Sequence, residues 1–71
     1  MLREVKWLSS RTCDFCKKEC DTDLYDAVTI YGCWATMCKS CYTKYTDGLL
    51  GTGYGQHYIK NKNNEFIKTE G

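Results

Sequence analysis

Six of the 71 residues are cysteines, and four of them form two doublets of one kind, Cys13-Asp14-Phe15-Cys16 and Cys38-Lys39-Ser40-Cys41. A two-residue gap lets a tight turn, or the first turn of a helix, bring two thiolates to one point. Two such doublets supply four soft ligands at the corners of a tetrahedron, the set that zinc prefers. The 21 residues between Cys16 and Cys38 suit the spacing of paired C-x-x-C zinc sites. The expected site is therefore one Zn2+ held by Cys13, Cys16, Cys38 and Cys41, with disulfides or an iron–sulfur centre as the other uses of such a set. Four protein thiolates leave no open position for water or substrate, which makes the site structural. Cys20 and Cys33 lie outside the doublets and read as small, partly buried apolar residues. Two other uses stay open: Cys20 in place of Cys16 as a ligand, or Cys20 facing Cys33 across a hairpin.

A chain of this length buries too little apolar surface to fold comfortably on its core alone, so a staple is expected. The amino-terminal stretch MLREVKWLSS carries charges at Arg3, Glu4 and Lys6 and has no apolar run of signal-peptide length, and no segment is long and apolar enough for a membrane span. That reading places the protein in the cytoplasm, where thiols stay reduced and paired cysteines are metal ligands before they are disulfides. Ten basic and nine acidic residues give a net charge of +1, so there is no global basic field of the kind that draws nucleic acid. His57 is the lone histidine. With no second base, paired carboxylate or activated nucleophile in the pattern it makes no catalytic arrangement, and neither an enzyme nor a small-molecule substrate is expected.

The elements that must position the cysteines follow from periodicity. Residues 5–12 alternate as a short strand leading to the first doublet, which itself reads as a zinc knuckle, a turn whose backbone amides point at the sulfurs. Residues 24–31, rich in Tyr, Val, Thr and Ile, read as one arm of a hairpin ended by Gly32. Cys38, Cys41, Tyr42 and Tyr45 recur at helical spacing and predict a short helix over 38–45, with Asp47-Gly48 as its stop. Four glycines between 48 and 55 predict an irregular loop through Tyr58. Ile59 to Gly71 is either an edge strand or a frayed tail. The fold class is small α+β, one zinc-binding domain over 1–71 with its core within 5–60.

Three motifs together, Cys13-x-x-Cys16, Gly32-x-Trp34-Ala35-x-Met37-Cys38-x-x-Cys41 and Gly51-x-Gly53-x-Gly55-Gln56, resemble a group of small, mostly uncharacterised bacteriophage proteins with a treble-clef-like zinc finger. The likeness covers about residues 11 to 60. It departs from the group at Leu49-Leu50, where one apolar residue is usual, and at Cys33. It implies a zinc knuckle, a β-hairpin and a short helix around one structural zinc, and a phage origin with life in the host cytoplasm.

The glycine stretch lacks the Gly-Lys-Ser/Thr ending of a P-loop and reads as a close-packing turn, with contact to phosphate as the other use. Trp7, Trp34 and Tyr45 are expected in the core. Lys17, Lys18, Lys39, Lys44, Tyr54, His57 and Tyr58 are the candidates for a binding surface. Two functions fit them. The first is an adaptor that docks on a host or phage protein through exposed aromatic side chains. The second is an RNA or single-stranded DNA binder, with lysines on phosphates and Tyr54 or Tyr58 stacked on a base. Balanced charge favours the adaptor. The sequence leaves the oligomeric state open.

Overall fold

In the computed structural model, which describes residues 5–51 and 53–70, the first expected hairpin arm forms strand β1 over Asp23–Val28. It is shorter than the apolar run because Thr29 begins the turn. Its hydroxyl and its amide both donate to the Cys33 carbonyl, at 2.9 and 2.8 Å, and Gly32 supplies the positive φ of 87° that reverses the chain. Strand β2, Trp34–Met37, returns antiparallel with Tyr25 opposite Met37 and Val28 opposite Trp34. Helix α1, Lys39–Tyr45, follows at once with Cys38 as its N-cap. Thr46 ends it in extended backbone, its amide and hydroxyl both donating to the Tyr42 carbonyl.

Among the described residues, the glycine-rich stretch lies outside helix and strand at 48–51 and 53–54. From Gly55 it becomes β3, Gly55–Lys60, a central strand paired with β1. This corrects the expected irregular loop. The reason is visible at Gly55, where an added Cβ would lie 2.4 Å from Ala27 Cβ: the glycine serves close approach of two strands, not a turn. The tail supplies β4, Phe66–Glu70, as the edge strand rather than a frayed end, and the sheet order is β2-β1-β3-β4, all antiparallel.

Residues opposite one another in an antiparallel sheet share a face, so Tyr25, Met37 and His57 lie on one side and Leu24, Tyr58 and Lys68 on the other. Helix α1 covers the first side by stacking Tyr42 on Tyr25, ring centroids 3.9 Å apart. The amino-terminal segment crosses the second side. Trp7 meets Tyr58 edge-on at 5.3 Å, and the Arg11 guanidinium lies over the Phe66 ring. Residues 5–12 do not form the expected strand. They make two isolated bridges, Thr12 to Glu19 and Lys6 to Ile67, and at the latter Trp7 N–H donates to Phe66 O and Lys68 N–H to Val5 O. That segment thus caps the β4 edge, and Asp14 caps the β2 edge by pairing with both backbone groups of Thr36. Unpaired edges invite association with other chains, and one segment blunts both.

Leu24, Met37, Phe66, Cys13 and Cys20 are the largest fully buried side chains. Trp7 and Tyr45 pack half-buried against this core. Trp34 does not: it is 50% exposed, a correction that follows from its place on the β2 edge strand, on the face that the amino-terminal segment only partly covers. No helix among the described residues is long and apolar enough to cross a membrane.

Candidate metal centre

The two doublets converge from different elements. The first sits in the turn between Thr12 and Glu19, which bridge each other. There Lys17 N–H donates to Cys13 O at 3.0 Å, with Lys17 in the left-handed region at φ 66°. The second straddles the start of α1, Cys38 as N-cap and Cys41 within the first turn. Asp14 ties the two together through Thr36, two residues before Cys38.

Cys13, Cys16, Cys38 and Cys41 place their sulfurs within 4.8 Å of one another, an arrangement able to hold a metal ion. Cys13 and Cys41 are buried, Cys38 is half-buried and Cys16 faces solvent. Burial pushes the Cys13 thiol up, but the amides of Cys16, Cys38 and Phe15 and the neighbouring Cys41 thiol outweigh it and bring it down to about 6. Cys41 is pushed up to about 12 by burial and by the adjoining cysteines. Without a cation, the Cys13 sulfur gives up its proton well before the Cys41 sulfur does; a bound metal ion would displace the protons that remain and share the charge among four sulfurs.

Cys20 is buried at 1% exposure but stands outside the four-sulfur set. Burial, then the charges of Cys13, Cys38 and Cys16, push its thiol up to about 12, which suits the small apolar residue expected there. Cys33 is exposed, which corrects the expectation of partial burial. It lies in the hairpin turn, its thiol 3.5 Å from the Thr29 hydroxyl.

The candidate binding-surface residues divide. Lys17, Lys18, Lys39, Lys44 and Tyr54 are exposed. Tyr58 is 4% exposed, packed against Trp7 with its hydroxyl donating to Gln56 Oε1 at 2.7 Å. The His57 side chain is 12% exposed, stacked parallel on Tyr25 at 4.2 Å, with Nε2 2.8 Å from Asp23 Oδ1. Both belong to β3, so reading β3 as a loop misplaced them at the surface. Gly55–Lys60 does not alternate, and His57 and Tyr58 are covered from opposite faces of the sheet, so no periodic signal for their burial was present in the sequence. Sequence reasoning also missed the exposed end of the hairpin, where Ile30, Tyr31 and Trp34 face solvent. There Tyr31 lies 6.4 Å from the Tyr45 ring, which stacks on Phe15 of the first doublet at 4.2 Å.

Comparison of the chain with protein-family models, with curated proteins and with solved structures finds no match in any of the three.

Proposed function

We propose that this protein is a structural zinc module with a treble-clef-like core, and that it works as an adaptor, docking on a host or phage protein in the bacterial cytoplasm and altering its activity. The four-sulfur cluster carries the first half of this reading. A tetrahedron of sulfurs each about 2.3 Å from zinc has edges of about 3.8 Å, and Cys16 Sγ to Cys38 Sγ is 3.8 Å. The order of knuckle, hairpin and helix, with one doublet in the knuckle and one at the helix start, is the order of the treble-clef resemblance. Four thiolates close the coordination sphere, so the metal's part is to hold the fold, and its binding energy is folding energy, of order 10–16 kcal/mol in zinc-finger peptides.

The exposed hairpin end supports the adaptor. Tyr31 is 66% exposed, with Ile30, Trp34 and Tyr54 also open to solvent, and aromatic side chains of this kind dominate the energy of protein contacts. The nucleic-acid alternative loses Tyr58 from its stacking pair, because Tyr58 is covered. Affinity capture of the tagged protein from bacterial lysate, with and without nuclease, tests the choice. One stoichiometric protein that persists after nuclease is expected; material that vanishes with nuclease would replace the adaptor with a nucleic-acid binder.

A further inference from the structure

Asp26 stands at the middle of the sheet, opposite Thr36 on β2 and Gln56 on β3. Its side chain is half-buried, yet among the described residues the carboxylate takes part in no hydrogen bond and no ion pair. Burial, and then the neighbouring Asp14 carboxylate, push it above the ordinary carboxylate range. Among the described residues, the charge that acts on it is thus of its own sign. A carboxylate held in this way lowers stability unless something outside the fold compensates it.

The neighbour along the same face is Trp34. Val28 opposite Trp34 is the next same-face pair after Asp26 opposite Thr36, and diagonal positions of such a ladder lie about 7–8 Å apart, within reach of a long side chain. Tyr54 adjoins Val28 from the other strand, its carbonyl accepting the Val28 amide at 2.9 Å. Trp34 and Tyr54 are both half exposed. A free carboxylate and an open indole therefore share one stretch of sheet.

We propose that Asp26 and Trp34 form a receptor for an arginine side chain of the protein partner, the carboxylate accepting from the guanidinium and the indole lying against its flat face. The inference rests on the adaptor reading and specifies the chemistry of its partner. Arginine fits better than lysine because its planar fork pairs with a carboxylate and stacks on an aromatic ring, and because it is more weakly hydrated. Two carboxylates, Asp26 and Asp14, oppose a phosphate backbone at the same place.

The test is 15N NMR of the zinc-loaded protein titrated with N-acetyl-arginine amide, the lysine analogue and the neutral citrulline analogue at constant salt. Saturable shifts of the Trp34 indole N–H and of the Asp26 and Thr36 amides are expected with arginine, smaller ones with lysine and none with citrulline. Asp26→Asn removes no bond within the fold, so its spectrum stays native while arginine binding weakens about tenfold or more, as for loss of a charge-assisted hydrogen bond. Trp34→Leu weakens it as well. Equal responses to arginine and citrulline, shifts confined to another face, or a Trp34 response to oligothymidylate in place of arginine would each overturn the receptor. Capture of one protein equally by wild type and Asp26→Asn overturns the receptor and leaves the adaptor standing; an intact arginine response with no protein captured counts against the adaptor alone.

Discussion

Asp14 is paired with Thr36 through both backbone groups of the latter: the Asp14 amide donates to Thr36 O, and the Thr36 amide donates to Asp14 Oδ2, each at 2.8 Å. One residue of the first doublet's turn thereby completes the edge of the strand that leads into the second. Asp14→Ala keeps the first bond and loses the second. We expect a loss of about 1 kcal/mol in denaturant unfolding of the metal-loaded protein and a weaker hold on the metal in competition with a chelator. Asp14→Asn retains an acceptor oxygen and loses less; an alanine variant as stable as wild type would show that the pairing contributes nothing.

Gly55 tests the packing of the central strands. A Cβ there would meet Ala27 Cβ at 2.4 Å, Ala27 Cα at 2.9 Å and Asp26 O at 3.1 Å. Two of those atoms are backbone and cannot rotate away, so Gly55→Ala should cost about 2–3 kcal/mol, as overpacking does. Ala27→Gly removes the closest contact. The double variant is expected to recover part of the loss, and strictly additive effects would show that the two positions do not meet.

These two sites also mark how far the sequence could be read. The cysteine doublets and the helix over 39–45 were legible because their chemistry and period are local. Strand β3 was not, since four glycines in eight residues signal a loop, while the close approach that requires Gly55 involves Ala27, 28 positions away. Trp34 was expected in the core because large aromatics usually serve there. Its exposure depends on the path of the amino-terminal segment, which covers Tyr58 and Phe66 instead. The His57–Asp23 contact likewise spans 34 positions and depends on strand register, which spacing alone does not fix.

The thiols set the pH dependence. Cys13, brought down from 9.0 to about 6, contributes stability to the metal-free fold that is present above 9.0 and lost as pH falls through 6. Cys41, raised from 9.0 to about 12, contributes below 9.0 and loses its contribution as pH rises toward 12. Metal uptake needs thiolates, so it releases protons and its apparent affinity climbs with pH. Calorimetry in buffers of different ionisation enthalpy should find about one more proton released below pH 6 than well above it, as Cys13 joins the protonated set. Proton release that does not change across pH 6 would contradict the assignment of the charge to Cys13.

Metal content measured together with thiol alkylation tests the central claim most directly. The account predicts one zinc per chain, rapid labelling of Cys33 alone in the native protein, and labelling of Cys20 only on unfolding. Cys13, Cys16, Cys38 and Cys41 should become reactive together when a chelator removes the metal, with loss of the dispersed NMR spectrum. Exposed Cys16 makes this decisive, because only a bound ion protects a thiol that faces solvent. A chain that purifies without metal, keeps its fold, and labels Cys16 as fast as Cys33 would contradict the account.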